Sequence, residues 1–455
     1  MSLAVKTGSL QSNLYGQFVN PQWVKLLDVL QMNLDYRVCR DAELRTADGR
    51  TIIDFNSGYC VHNIGHNHPQ VVTALTQEID AAGPAMLQNH ASESAGMLAA
   101  RLCGLAGGGL TKTFFASSGS EGVEAAIKFA RAHTKRAGIL HAAGGFHGLT
   151  CGALSLMSDA FWTDGFGPLL PDTAAVPFGD IAALERLLAT RSFAAFIVEP
   201  VQAEAGVVVP SAEYLPAAQA LCRRHGTLFV LDEVQTGLFR TGRFLAAHHF
   251  AVEPDIVVLA KALSGGLIPC SAVLMTERVY ASVFSSLRRA IIHSSTFGEN
   301  GLAMRAGLAT LDVLEDERLG ERAIRAGQRL QRELAKRLAG YEMVRDLRGL
   351  GLLNAVEFGA PRSLRLRVPY ETLAALHPAA FGQILVMRLL RDHGFLSQVC
   401  GNNFTVLKVA PPLTVTDAQL DGFVAALGEV VEGMHKSAEF WSHALGIARR
   451  ALTGI

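Results

Sequence analysis

Two charged side chains close apolar runs that have no ordinary use for them. Leu228-Phe229-Val230-Leu231 runs into Asp232-Glu233-Val234-Gln235-Thr236-Gly237, and Ile256-Val257-Val258-Leu259-Ala260 runs into Lys261-Ala262-Leu263-Ser264-Gly265-Gly266. Four apolar residues in a row read as a buried strand, and the polar group then stands at its carboxyl end. In an open parallel sheet, ligands lie beyond those ends, so Asp232 points toward a ligand. A carboxylate beside a pyridine nitrogen keeps it protonated and makes the ring an electron sink. A lysine held among apolar residues loses its charge easily; the free amine can condense with an aldehyde and carry a proton to or from carbon. Each residue also has a plainer use, since an aspartate caps turns and a lysine snorkels from strand ends. Taken together, the pair points to a pyridine aldehyde.

Phe114-Phe115-Ala116-Ser117-Ser118-Gly119-Ser120-Glu121 leads into the helical run Val123–Ala132. Small residues between a strand and a helix leave backbone N–H groups free at the helix start, a ready phosphate site. An ordinary helix cap looks the same. The later loop His293-Ser294-Ser295-Thr296-Phe297-Gly298 adds hydroxyls and is uninformative by itself.

Elements that would position these groups follow from periodicity. Short β-branched or aromatic runs at Lys112–Phe115, Gly138–Leu140, Phe193–Val198, Leu228–Leu231, Ile256–Leu259 and Ser271–Met275 alternate with helical patterns. Such alternation predicts an α/β fold, a mostly parallel sheet covered on both faces, with a smaller α/β lobe. Residues 1–60 read as an irregular N-terminal segment with a hairpin at Ala47-Asp48-Gly49-Arg50, packing with the small lobe. Residues 61–315 read as the large ligand-binding domain and 316–455 as the C-terminal small domain. The latter opens on one long charged helix over Asp316–Leu338 and has strands near Val344–Phe358 and Thr405–Val409.

With 455 residues the chain is long enough for two unequal lobes. Its 41 basic and 41 acidic residues balance, which gives no reason to invoke nucleic acid. Seven scattered cysteines with no Cys-x-x-Cys pair read as free thiols and no metal site. No secretory h-region and no membrane-spanning run is legible, so a cytoplasmic protein is expected.

In order along the chain, these motifs resemble the class III aminotransferases of fold type I, the group of the ornithine, acetylornithine and putrescine enzymes. The resemblance runs from Asp54-Phe-Asn-Ser-Gly-Tyr59 and Gly65-His-Asn-His-Pro69 through Ala410-Pro-Pro-Leu413. It implies pyridoxal 5'-phosphate as cofactor, held as a Schiff base by Lys261, with Asp232 on the pyridinium nitrogen and Gln235 on the phenolic oxygen. Gly119 and Ser120, with Ser118 nearby, would hold the phosphate. Phe146, in Gly144-Gly-Phe146-His147-Gly148, would stack on the ring, and His147 joins the cofactor-binding set. Thr296 would reach the phosphate of a neighbouring subunit, which makes the active unit a homodimer. Glu199 and Glu204 match carboxylates beside the substrate channel, Tyr59 matches a tyrosine beside the substrate, and Lys408 stands as a substrate residue at the position that grips a carboxylate.

Two positions depart from the amino-acid-specific members. Leu149 stands where an arginine follows Phe-His-Gly, and Lys408 replaces the arginine before Ala-Pro-Pro-Leu. Arginine grips carboxylate as a planar fork; lysine offers a point charge and leucine nothing. The expected substrates are therefore a terminal primary amine (ornithine, a diamine or a larger amine) and a keto acid or aldehyde. A lipid-linked aldehyde of hopanoid type, or an aminomutase or racemase on the same fold, is the alternative. In the C-terminal tail, apolar residues recur at 441, 445, 448, 452 and 455 beside Arg449-Arg450. That helix would either pack on the protein or lie on a membrane surface.

Overall fold

The computed structural model describes residues 10–87 and 89–453. Near the N-terminus β1 (Tyr36–Arg40), β2 (Glu43–Thr46) and β3 (Thr51–Asp54) form an antiparallel ribbon. The expected hairpin turn lies between β2 and β3, with Gly49 at φ +88°. Upstream, where only irregular chain is legible in the sequence, two helices span Leu10–Phe18 and Pro21–Val29. The start of the second was encoded: Asn20 accepts from Gln22 N and Trp23 N, and Pro21 opens the helix without needing its missing N–H.

The large sheet contains β4 (Leu110–Ala116), β5 (Gly138–Ala142), β6 (Thr173–Val176), β7 (Phe193–Val198), β8 (Leu228–Asp232), β9 (Ile256–Leu259) and β10 (Ser271–Thr276). Their spatial order is β4-β10-β9-β8-β7-β5-β6. All neighbours pair parallel except β10, which is antiparallel to both β4 and β9. The mostly parallel sheet expected from the sequence is the one observed. The four-residue β6 has too little apolar pattern to be read in advance. Every residue of β5, β7, β8 and β9 is buried, because helices cover both faces.

Beyond residue 340, β11 (Val344–Leu350), β12 (Leu353–Phe358), β13 (Phe395–Leu396), β14 (Gln398–Cys400) and β15 (Asn403–Val409) follow. Four of them make a sheet in the order β11-β12-β15-β14, whereas β13 pairs parallel with β3 and extends the N-terminal ribbon. The chain thus returns to its beginning.

One helical expectation needs correction. The helix expected over Asp316–Leu338 spans Leu319–Arg337, and a separate helix, Gly301–Asp316, precedes it. Arg318 adopts a left-handed conformation, φ +51°, and breaks the two apart. In the C-terminal helix Ala438–Thr453, the buried face is made by Phe440, Trp441, Ala444 and Ile447, packed against helices Leu364–Leu376, Pro21–Val29 and Asp417–Lys436. Over 440–447 that face is covered by protein, in keeping with the packing reading. The side chains at 448–455, with Arg449 and Arg450, lie outside the described residues.

Helix Leu319–Arg337 is held against the small lobe through Gly327. A methyl group there would come within 1.9 Å of Gly351 O, a backbone atom in the β11–β12 turn that no rotamer can move aside. Gly327→Ala gains roughly 1 kcal/mol of helix propensity. The overpacking, about 1–3 kcal/mol, should exceed it. A lowered urea midpoint is expected; a midpoint at or above that of the parent chain would contradict the close approach.

Candidate active site

Five loops leave the carboxyl ends of β4, β5, β7, β8 and β9 on one side of the large sheet, and each contributes to a cavity of about 510 Å³. From β4 come Ser117 to Ser120, from β5 Phe146 to Gly148, from β7 Glu199, from β8 Asp232, Val234 and Gln235, and from β9 Lys261. Asp232 is in register with Val258 on the adjacent strand, so the acid and Lys261 sit a few residues apart across one strand pair.

Lys261 stands at φ +48°, immediately after Ala260 at φ −160°, ψ −143°. A non-glycine residue held in the left-handed region is strained. Here the strain turns the side chain off the end of β9 into the cavity. Burial, outweighing the nearby carboxylates Glu204 and Asp232, holds its pKa below the usual lysine range. The neutral amine is thereby favoured.

Asp232 Oδ2 lies 2.8 Å from His147 Nδ1, and Oδ1 accepts from Val234 N at 3.0 Å. Both side chains are buried. Burial disfavours the imidazolium, but the bond to Asp232 and its charge overcome this and raise the pKa of His147. Glu199 is buried too; burial pushes its carboxyl up to about 7 although it accepts from Phe146 N at 2.9 Å and Ala203 N at 3.1 Å. Through the first of those bonds Glu199 fixes the backbone of Phe146, whose ring lines the cavity.

The 16-residue helix Gly119–Thr134 aims its N-terminus at the same cavity. Ser118 caps it by accepting from Glu121 N at 3.2 Å, and Ser120 Oγ accepts from Leu149 N at 3.3 Å. The N–H groups of Gly119 and Ser120 belong to the first turn, where helices have donors to spare and favour an anion. On the opposite wall Gln235 donates from Nε2 to Glu204 Oε1 at 3.0 Å, and its Oε1 is buried without a partner. A lone buried acceptor on a cavity wall suits a hydroxyl on a bound ring. A strand-end amine, a buried carboxylate, an unpaired amide and an anion-seeking helix end together fit pyridoxal phosphate.

Beyond Gln235, Lys408 and Glu204 form an ion pair in which Lys408 is fully buried. Glu204 also accepts from Gly401 N at 2.7 Å. Burial works against its ionised form, but the Lys408 charge and these hydrogen bonds lower its pKa overall. The Tyr59 ring caps the pair, its centroid 4.7 Å from Lys408 Nζ. Tyr59 is presented by an unusual left-handed turn, Ser57 through Cys60 at φ +50° to +68°. Asp54 Oδ1 anchors that turn by accepting from Asn56 N and Ser57 N at 2.8 Å each.

The cavity therefore gathers Lys261, Asp232, Gln235, Ser118, Gly119, Ser120, Phe146 and His147. Tyr59, Glu204 and Lys408 lie together just beyond it. Thr296 is exposed and does not line it. Leu149 is exposed, 53 %, beside Ser120. Sequence reasoning missed the Gly401-Asn402 turn, which clamps Glu204, and Trp162, whose Nε1 donates to Asn402 Oδ1 at 2.7 Å. Nothing in the local sequence around 162 or 402 announces that they meet.

The family model for class-III aminotransferases matches residues 28–431. A putrescine aminotransferase from Pectobacterium atrosepticum is 36% identical over 419 residues, covering 89% of this chain and 85% of that protein. The aminotransferase PigE of Serratia sp. is 35% identical over 450 residues; the match takes in 92% of this chain, which spans about half, 53%, of that relative. Among solved structures, an ornithine aminotransferase from Toxoplasma gondii, described with pyridoxal phosphate at its active site, superposes with a TM-score of 0.80 at 28% identity. It covers 96% of this chain and 100% of its own. On this match and on the site just described, the chain belongs to the class-III aminotransferases, whose cofactor is pyridoxal phosphate.

Proposed function

We propose that this chain moves an amino group from a terminal primary amine that lacks an α-carboxylate to a keto acid or aldehyde. The observation that carries the reading is the convergence of Lys261 and Asp232 on one cavity that also receives the helix N-terminus at Gly119.

Pyridoxal phosphate, when bound, supplies an aldehyde that bonds amines and a ring that stores the electrons of the broken C–H bond. Gly119 and Ser120 would hold the phosphate, Phe146 would cover one ring face, and Gln235 would meet the phenolic oxygen. Asp232, steadied by His147, offers its carboxylate to the ring nitrogen. Lys261 would take the proton from the amine-bearing carbon, which needs an uncharged amine.

Donor choice follows from Lys408. Its charge is spent on Glu204 and both are buried, so a substrate carboxylate finds no free cation there. Opening the pair would leave a buried charge without its partner, a cost of about 3–5 kcal/mol. Among the described residues lining the cavity none is an arginine. Diamines and simple amines, for which the amine is the only group to be recognised, fit better than α-amino acids. In a donor screen following loss of the yellow cofactor colour, putrescine or an alkylamine is expected to react at least about tenfold faster than glutamate or alanine, the equivalent of one charge-assisted pair. Faster reaction with the α-amino acids would overturn the reading.

We further propose a homodimer in which Thr296 serves the phosphate site of the partner. Supporting it, Thr296 is exposed in a segment that also exposes Leu287, Ile291 and Phe297, 97 %, 85 % and 60 % respectively. Apolar exposure of that extent marks an interface.

A further inference from the structure

A row of aromatic rings leads away from the cavity. Phe146, on its wall, meets Trp162 edge-to-face at a centroid distance of 5.3 Å; Trp162 meets Phe161 at 4.9 Å, and Phe161 meets Phe404 at 6.2 Å. Trp162 and Phe161 come from the short helix Ala160–Thr163, and Phe404 comes from β15 in the small lobe. The indole is held in place, since Nε1 donates to Asn402 and the ring lies on Gly401, where even a methyl group would come within 3.4 Å of Trp162 Cζ2 and 3.2 Å of Glu204 Oε2. Phe161 is 67 % exposed. Phe146, Trp162 and Phe404 are half-buried, and partly open rings in line with a cavity wall suit an apolar ligand.

The charges near this row are engaged or stand at its edge: Asp159 Oδ1 accepts from Phe161 N at 2.9 Å as the helix cap, and Asp164 follows the same helix. Lys408 and Glu204 neutralise one another beneath Tyr59, and Arg348, near Gly206, is engaged by Asp346 and Glu357. Leu149 adds an exposed apolar side chain beside Ser120.

We infer that the row Phe146-Trp162-Phe161-Phe404 binds the tail of the substrate, and that the natural substrate is an amine or aldehyde carrying an extended apolar chain of alkyl or arylalkyl type. Trp162 is the specificity-determining residue. This rests on the aminotransferase reading and adds what lies beyond the reacting carbon. A tail laid along the rings leaves water one methylene at a time, so selectivity grows with length.

The test is a series of unbranched primary amines from four to eight carbons, assayed with the cofactor-loaded enzyme. For the parent enzyme kcat/KM should rise roughly threefold per methylene, as for apolar surface leaving water. In Trp162→Ala the loss should grow with tail length, from about twofold at four carbons to about thirtyfold at eight. Trp162→Phe, which keeps a ring and gives up the bond to Asn402, should restore most of the slope. Independently of turnover, 1-octanol should compete with the amine more strongly than 1-butanol in the parent and about equally in Trp162→Ala. A flat series in the parent, or an unchanged slope in Trp162→Ala, would overturn the tail surface while leaving amine transfer standing. Failure of every amine, four-carbon donors included, would bring down the aminotransferase reading and the tail surface with it.

Discussion

Lys261→Ala is expected to stop turnover while leaving a folded protein that still takes up pyridoxal phosphate. Among the described residues lining the cavity Lys261 carries the only side-chain amine, and a positioned base is worth about 10²–10⁴-fold by itself. Loss of the amine that bonds the cofactor's aldehyde adds to this. Stability should change little, because the side chain projects into the cavity and not into packed core, and alanine meets the same positive φ at this position. Two measurements separate a chemical role from a structural one. Borohydride should attach the cofactor covalently to the parent chain and not to the variant, read as a mass increase. Small amines such as methylamine should restore part of the rate by carrying the proton. Activity within tenfold of the parent would refute the assignment of Lys261.

Asp232→Asn should lower kcat/KM by about 10²–10³-fold, the usual effect of deleting one aligned electrostatic group. Asparagine keeps the shape, and its oxygen can still accept from Val234 N, but it cannot hold a ring nitrogen protonated. His147 should change as well. Its pKa is raised by the hydrogen bond and charge of Asp232 working against burial, and without that carboxylate the imidazole is expected to stay neutral. The sign of the pH effect follows. A histidine whose folded pKa lies above its unfolded value of 6.5 contributes stability that is full below 6.5 and is lost as pH rises through the folded pKa. The parent should therefore be more stable than Asp232→Asn at pH near 6, with the difference shrinking toward alkaline pH, as urea midpoints would record. A difference that widens with pH would mean that His147 is not the cation of this pair.

Much of the site was legible before the fold. Asp232 and Lys261 were marked by their place at the ends of apolar runs, and Ser118 to Ser120 by their place before a helix. Both signals are local, because a buried strand needs four apolar residues in a row and a helix start needs small or hydroxyl residues at fixed positions. The same logic failed where competing local signals were weak or overruled. The four-residue β6 is too short to show a period, and the left-handed Arg318 splits a helical pattern that reads as continuous.

Most of the strands and the residues that end them, Asp232 and Lys261 among them, were thus determined by the sequence itself, because each depends on neighbours a few residues away. Only the tertiary structure decided what Lys408 does: it meets Glu204, 204 positions back in the chain, and the charge that reads as a substrate anchor is consumed inside the protein. Trp162 likewise becomes part of a ring row only because Asn402 and Phe404 arrive from the other lobe. The C-terminal helix becomes a packing element because other helices reach its apolar face. Pairings of this kind depend on which loops meet after the sheet has closed, and no pattern within a short window of residues records that meeting.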